Sequence, residues 1–181
     1  AHSDFAIASD KVLERQLGAH CLAETTLLDC VVLPQKTGYL AKLFFKSGTR
    51  FEDISTPGAT VSPNQSGNAV AILKTPIANP ADPVVLKIQG QSFSLTAEPA
   101  ETSLFAGLNV LLAIRNGESP ETAASWMQYH VTQHGMQAAV IIDQAPPNES
   151  RLFIRELRNL AQAIEGLVQV VVIHSEIPLG Q

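Results

Sequence analysis

The sequence predicts an α/β protein in which a small antiparallel β domain, residues 1–100, precedes a partial βαβαβ unit, residues 104–181. Short β-like segments separated by turn-forming clusters fill the first half of the chain. In the second half, three apolar segments alternate with two amphipathic ones. The composition also changes near residue 100, because every lysine precedes residue 90 and only arginine supplies basic side chains after it.

The overall composition excludes several classes of protein. The formal net charge of -5 provides no basic excess for binding nucleic acid. Hydrophobic residues make up 45% of the chain and charged residues 16%, which favours a packed core over disorder. No apolar run approaches the ~20 residues that span a bilayer, so we expect no transmembrane segment. The only cysteines, Cys21 and Cys30, form no disulfide framework, which indicates a cytoplasmic protein.

The first half is predicted to be rich in β-structure. Ser9 as an N-cap and Gly18 as a stop signal predict one short helix over residues 9–17. The five strands that follow are separated by clusters of Gly, Pro, Asn and Asp, which is typical of a small antiparallel sandwich or barrel. These strands are predicted at residues 26–33, 38–46, 50–54, 69–74 and 84–96, the last with a break at Gly90.

The second half begins with a strand predicted at residues 108–114, where a nearly continuous apolar run indicates burial on both faces. A helix follows, since Ser119 suits the N-cap, Pro120 the first helical position and Gly135 the C-terminal cap. The side chains predicted to face inward from this helix are Ala123, Trp126, Met127, His130, Val131 and His134.

Two further strands and a second helix complete the unit. The second strand, residues 136–142, ends at Asp143, and the third occupies residues 167–173. Between them a helix begins near Asn148 or Ser150 and ends at Gly166. This order is half of a doubly wound parallel sheet, which binds ligands at the carboxyl ends of its strands. The segments expected at that edge are residues 115–118, 143–147 and 174–176.

Few local patterns in this half carry chemistry on their own. The chain has neither the glycine-rich dinucleotide fingerprint nor a phosphate-binding loop. His130 and His134 have the spacing of a zinc helix, but Val131 stands where a metalloprotease has glutamate, so we predict a structural role for both histidines. Asp143, at a strand end, suits either of two roles: accepting hydrogen bonds from a ribose or base, or initiating a turn before proline.

One longer pattern combines several of these features. Arg-Asn-Gly-Glu at residues 115–118 is followed by Trp126, Tyr129-His130 and His134-Gly135, and then by an apolar strand that ends in Asp143. This arrangement resembles the opening of bacterial glycosyltransferase family 2-like proteins, over roughly residues 108–175. Amphipathicity alone does not dictate this spacing of aromatic and histidine side chains along one helix.

The resemblance implies a Rossmann-like, nucleotide-sugar-binding domain with a glycosyltransferase A-type fold. By position, Asp143 corresponds to the carboxylate that contacts the nucleotide, and Arg115 and Asn116 line the same edge of the pocket. Glu118 is a further candidate, although Gly117 displaces it from the Arg-Asn-Glu order of the family. The implied partners are a nucleotide-sugar donor and an acceptor that the resemblance does not specify.

In this family a later Asp-x-Asp motif binds a divalent metal, Mn or Mg, that neutralises the departing diphosphate. The 181 residues contain no Asp-x-Asp. We therefore expect this chain to be the N-terminal part of a longer enzyme, inactive by itself, with the metal site and catalytic base beyond Gln181. The alternative is a non-catalytic module that binds a carbohydrate or a protein.

Overall fold

A computed structural model describes residues 10–17, 20–23, 25–46, 48–49, 54–56, 60–62 and 71–176. The described residues form two compact units: a β unit between residues 20 and 101, and an α/β unit made of residues 10–17 and 102–176. The fold is therefore mixed α/β, with antiparallel sheets in one unit and a parallel sheet with helices in the other.

The described helices and strands are numbered in chain order. They are β1 (Val12–Leu17), β2 (His20–Leu22), β3 (Thr25–Pro34), β4 (Tyr39–Phe45), β5 (Ile54–Ser55), β6 (Thr60–Ser62), β7 (Ala71–Ile77), β8 (Val84–Ile88), β9 (Gln91–Leu95), β10 (Glu98–Pro99), β11 (Val110–Arg115), α1 (Pro120–His134), β12 (Ala138–Asp143), α2 (Pro147–Gln162) and β13 (Gln169–Ser175). Neither helix is long and apolar enough to cross a membrane.

The β unit contains two sheets. One has the order β10-β3-β4-β7-β6, with β2 also paired to β3, and only β10 runs parallel to its neighbour. The other sheet, β5-β8-β9, is antiparallel. The predicted strand at 84–96 is the β8–β9 hairpin, whose turn contains Gly90 at a φ of 78°. Residues 50–53 of the strand predicted at 50–54, and residues 69–70 of the strand predicted at 69–74, lie outside the described residues.

Both sheets of the β unit contribute side chains to one hydrophobic core. Leu43 and Phe45 come from the larger sheet, whereas Leu86 and Ile88 come from the hairpin, and all four are buried. In β8 buried and exposed residues alternate along the strand, as expected for a strand with one face on a core.

The α/β unit contains a four-stranded sheet with the order β1-β13-β12-β11, in which every described pair is parallel. The helix predicted over residues 9–17 is wrong, because residues 12–17 form strand β1. Its partner is β13, in a register that runs from Val12 opposite Val170 to Leu17 opposite Ser175. Pairing with a distant strand overrides the local helix signals.

Strand β1 is also held by a side chain. The Lys11 ammonium donates hydrogen bonds to the carbonyls of Ala161 and Ile164, at the C-terminal end of α2. The two carbonyls also accept hydrogen bonds from the backbone N–H groups of Ile164 and Leu167, and a cation is favourable at the C-terminal end of a helix. The described residues before β2 therefore belong to the α/β unit, and the β unit lies between β1 and β11 in the chain.

The predicted ends of helix α1 are confirmed. The Ser119 hydroxyl accepts a hydrogen bond from the Thr122 N–H, and Gly135 adopts a left-handed conformation with a φ of 63°. His134, predicted to face the core, is exposed; it lies in the last turn beside the rings of Tyr129 and His130. Helix α2 begins at Pro147, just before the predicted start.

Both helices contribute to one core with alternate residues of the parallel sheet. This core contains side chains from α1, α2 and the strands, among them Met127, Phe153, Leu157, Ile141 and Val172. The helices also contact each other. They therefore cover the same face of the sheet, as successive right-handed crossovers between neighbouring strands require.

Candidate functional site at the carboxyl edge of the parallel sheet

Four residues form a row across the carboxyl edge of the parallel sheet. Arg115 lies opposite Asp143, Asp143 opposite His174, and His174 opposite Gln16. Because the register aligns them, residues that are far apart in sequence become neighbours. At the edge predicted to bind a ligand, Arg115 and His174 therefore lie on either side of the Asp143 carboxylate.

Arg115 is committed to contacts within the protein. Its Nη1 donates to Asp143 Oδ1 at 2.8 Å, and its Nε donates to the Glu118 carbonyl at 2.7 Å. The guanidinium carbon lies 3.9 Å from the centroid of the Phe153 ring, a cation–π contact with α2. With 8% of its surface exposed, Arg115 anchors the loop after β11 instead of facing solvent.

Asp143 is buried, with 1% of its surface exposed. Its Oδ1 accepts hydrogen bonds from Arg115 Nη1 and, at 3.1 Å, from the Ala145 N–H. The second contact is the turn-initiating geometry that the sequence offers before the Pro146-Pro147 pair. A carboxylate that accepts hydrogen bonds from a ribose or base has to be accessible, and Asp143 is not, because an arginine in register on the neighbouring strand holds the side chain inside.

The second oxygen of Asp143 faces His174. Among the described residues, Asp143 Oδ2 is buried without a hydrogen-bond partner, and it lies 3.9 Å from His174 Nδ1. The other ring nitrogen of His174, Nε2, lies 3.4 Å from Glu14 Oε1 on β1. The half-buried imidazole thus stands between a buried carboxylate and an exposed one.

The loop after β11 is closed by Glu118. Its carboxylate accepts a hydrogen bond from the Asn116 N–H at 2.6 Å. Hydrogen bonds from the backbone N–H groups of Glu118 itself and of Asn116 hold the pKa of Glu118 below its ordinary value. Gly117 between them adopts a φ of 114°, which only glycine reaches without strain. Glu118 therefore shapes the loop, and its exposed side chain keeps the Asn116 backbone in place.

Two adjoining grooves open at this edge. The first has a volume of about 310 Å³, and the second a volume of about 380 Å³. They share Gln144, Ala145, Pro146, Ser175 and Glu176. The first groove is completed by Asn116, Gly117 and Glu149, and the second by Gln16, Pro147, Ser150, Arg151 and His174.

The structure brings the predicted site residues together, but in different roles. Asn116 lines the first groove, whereas Arg115 and Asp143 are buried in the same edge and line neither groove. The sequence analysis missed Gln16, because its place depends on the pairing of β1 with β13. It expected a ligand-facing segment at residues 174–176 without singling out His174.

The groove walls are rich in hydrogen-bond acceptors. Glu149 and Glu176 contribute carboxylates to the first groove, while Arg151 is a cation in the second. Such walls suit ligands that donate hydrogen bonds, such as hydroxyl and amide groups. Within the described part of the chain, no group of three His, Cys, Asp or Glu side chains is arranged to hold a metal ion.

Comparisons of this chain with protein-family models, curated proteins and solved structures found no match. The glycosyltransferase resemblance therefore rests on the pattern in residues 108–175 alone. What the protein binds has to be inferred from the chemistry of the two grooves.

Proposed function

We propose that the α/β unit is the nucleotide-sugar-binding part of a bacterial glycosyltransferase with a glycosyltransferase A-type fold, and that the nucleotide binds in the first groove. The observation that carries the proposal is the position of this groove. It lies at the carboxyl edge of a parallel sheet, above the ends of β11 and β12, where open α/β sheets bind their ligands. The complete enzyme would transfer the sugar to an acceptor.

In this proposal the buried pair orders the site without touching the ligand. Arg115 holds the loop after β11 through the Glu118 carbonyl, and Asp143 holds the turn after β12 through the Ala145 N–H. Because one ion pair joins the two loops, the groove wall is fixed before a ligand arrives, and less entropy is lost on binding.

Asn116 is the residue we expect to contact the nucleotide. Its side-chain amide both donates and accepts hydrogen bonds, as reading a base edge requires. The carboxylates of Glu149 and Glu176 accept from base N–H groups or ribose hydroxyls. A diphosphate beside these carboxylates would need a cation, and among the described residues no three His, Cys, Asp or Glu side chains are grouped to hold one. No catalytic step is therefore assigned to a metal held by these residues.

Nucleotide binding tests the proposal directly. We expect uridine, guanosine or adenosine diphosphate, added to ¹⁵N-labelled protein, to shift the backbone amide signals of Asn116, Gly117 and Ala145. Replacing Asn116 with alanine should weaken binding about tenfold, the effect of losing one hydrogen bond to a ligand. Asn159→Ala, at an exposed position on α2, is the matched control and should leave the affinity unchanged. Absence of binding by all three nucleotides would contradict the proposal.

The alternative is a non-catalytic module that binds a carbohydrate or a protein. It is favoured by the lack of an Asp-x-Asp motif in the 181 residues. This alternative predicts that sugars or a protein partner bind while nucleotides do not. The same titration, repeated with methyl glycosides, separates the two functions.

A further inference from the structure

Strand β11 is an edge of the parallel sheet, with β12 on one side and no strand among the described residues on the other. Just before β11, the Asn109 carbonyl accepts a hydrogen bond from the N–H of Ala138, the first residue of β12. Successive residues of a strand direct their backbone groups to opposite sides, so those of Val110, Leu112 and Ile114 point away from β12. These three residues form what we call the β11 edge.

The side chains of the β11 edge are apolar and accessible. Leu112 exposes 60% of its surface and Ile114 exposes 39%. They lie directly opposite Val140 and Ile142 of β12. The intervening Ile141 packs in the core with the helices, so this apolar row is on the other face of the sheet.

The two edges of this sheet differ in how they are protected. Edge strands of natural sheets usually carry charges, prolines or bulges that prevent pairing with another chain. The opposite edge, β1, has an exposed Glu14 that lies 3.6 Å from Arg158. In β11 the register is continuous, proline is absent, and the only charged residue, Arg115, is buried. The β11 edge is therefore suited to pair with another strand.

We propose that two copies of this chain associate through their β11 edges, which pair antiparallel about a two-fold axis at Leu112 and form one continuous sheet. In this register Leu112 lies opposite Leu112 of the second copy, and Val110 lies opposite Ile114. Each such pair exchanges two backbone hydrogen bonds. A register shifted by two residues would leave one outward residue of each copy unpaired, so the axis at Leu112 uses the whole edge.

The helix layer is compatible with this pairing. Two helices cover four strands, so each helix occupies the width of two strands, ~10 Å. A continued sheet thus places the two α1 helices at the usual packing distance of ~8–10 Å. Val131 of α1 lies against Gly166, which follows α2, so Trp126 is on the side of α1 away from α2 and towards the second copy. Tryptophan is frequent among the residues that stabilise interfaces.

The size of the contact predicts a reversible dimer. β11 has six residues, so its edge is ~20 Å long, and the sheet and helix layers together are ~20 Å thick. The resulting ~400 Å² per copy, ~800 Å² in total, is below the ~1,200–2,000 Å² of stable complexes. We therefore expect monomer and dimer to coexist.

Sedimentation velocity of the 181-residue chain from about 5 to about 500 μM measures this equilibrium. Leu112→Lys places two ammonium groups opposite each other at the axis and should raise the dimer dissociation constant at least about tenfold. Leu152→Lys is the matched control, because Leu152 lies on α2 with 54% of its surface exposed. It adds the same charge and should leave the dissociation constant unchanged.

A disulfide tests the register. Paired residues of this type have Cα atoms ~5.5 Å apart, within the range that a disulfide spans. In a Cys21→Ser background, Leu112→Cys should give a covalent dimer on mild oxidation, whereas Leu152→Cys should not. The remaining Cys30 is buried and does not compete.

The outcomes are independent of the proposed nucleotide function, since the β11 edge lines neither groove. A dimer that Leu112→Lys weakens, Leu152→Lys spares and Leu112→Cys traps supports the proposal even if no nucleotide binds. A monomer at every concentration overturns it. So does a dimer that Leu112→Lys leaves intact, or one that Leu112→Cys does not trap.

Discussion

The Arg115 guanidinium and the Asp143 carboxylate meet at 2.8 Å from neighbouring parallel strands, and both side chains are buried. An ion pair at such a position joins the two loops that border the candidate nucleotide groove. The cost of removing water from both charges offsets part of their attraction, so the net stabilisation by the pair is smaller than the loss caused by removing one partner.

Replacing Asp143 with asparagine should destabilise the protein strongly. The change leaves the Arg115 charge buried without its counterion, which typically costs ~3–5 kcal/mol. Urea unfolding of the wild type and the variant measures this loss as a difference in the free energy of unfolding. The result expected for an exposed carboxylate is a change below ~0.5 kcal/mol, and finding it would contradict the buried ion pair.

A double-mutant cycle isolates the interaction from other effects. Arg115→Met alone should also destabilise, but Arg115→Met combined with Asp143→Asn should cost less than the sum of the two single changes. Removal of both charges eliminates the unpaired buried ion that each single variant retains. Additive losses would show that the two side chains stabilise the edge independently.

We predict that this 181-residue chain alone transfers no sugar. Its sequence lacks the Asp-x-Asp motif that the resemblance assigns to the metal in this family. Purified protein should leave nucleotide-sugar donors intact in the presence of Mn or Mg, with the hydrolysis by a mock preparation subtracted. Turnover of any donor above that background would count against the prediction.

Asp29 should make stability depend on pH. Burial raises the pKa of this carboxyl and the nearby Glu98 charge raises it further, whereas the hydrogen bond from the Cys30 N–H opposes these effects. The folded state therefore binds the proton more tightly than the unfolded state does. As pH rises from the ordinary Asp value of ~3.9 through the raised pKa, this proton is lost and stability decreases.

Replacing Asp29 with asparagine removes this penalty. The variant should be more stable than the wild type at neutral pH, by less than ~1 kcal/mol because solvent screens the partly exposed group. Below pH ~3 the carboxyl is protonated in both states, and the difference should disappear. Glu165→Gln, at an exposed position, controls for loss of a negative charge. A stability gain that does not vary with pH would contradict the assignment to Asp29.

The two cysteines should react with iodoacetamide at very different rates. Cys21 is exposed, whereas Cys30 is buried, and burial together with the Asp29 charge raises the pKa of Cys30 to about 11. Since the thiolate is the reactive form, folded protein should be modified at Cys21 first. A Cys21→Ser variant should react only when urea unfolds it, as followed by mass spectrometry. Equally rapid labelling of Cys30 in the folded state would be inconsistent with its burial.

His130 and His134 are predicted to bind no zinc. Their rings lie 5.1 Å apart in a cluster with Tyr129 and Trp126, and the intervening positions lack the glutamate of a zinc-protease helix. Metal analysis of purified protein should therefore find no stoichiometric zinc. Zinc that is present at one equivalent and lost in a His130→Ala, His134→Ala double variant would overturn this prediction.

Local signals in the sequence were sufficient to predict an element when the residues that stabilise it lie within it or next to it in the chain. Helix α1 is defined by Ser119, Pro120 and Gly135, all within or next to it, and its ends follow from capping chemistry. The three apolar strands of the second half were likewise recognised, with shifts of one or two residues at their ends. The predicted burial of β11 on both faces is wrong, because Leu112 and Ile114 are exposed. Strand β1 was missed because its hydrogen bonds go to residues 170–175.

The same distinction applies to the candidate site. The position of Asp143 at a strand end could be read from the sequence, but its burial depends on Arg115, which lies opposite it only through the register of β11 and β12. Gln16 and His174 meet through the β1–β13 register. Strand register cannot be read from a local sequence pattern. The loops expected to face a ligand could therefore be predicted from the sequence, but the contacts between their side chains could not.

The pairing of β1 with β13 also constrains how the protein folds during synthesis. β1 leaves the ribosome before the β unit, and its neighbour in the sheet, β13, is made more than a hundred residues later, after the β unit. Such distant contacts form slowly because a long loop must close first. The apolar residues of β1 therefore lack their partner strand until β13 has been made, a period in which chaperones or unwanted strand pairing can compete for them.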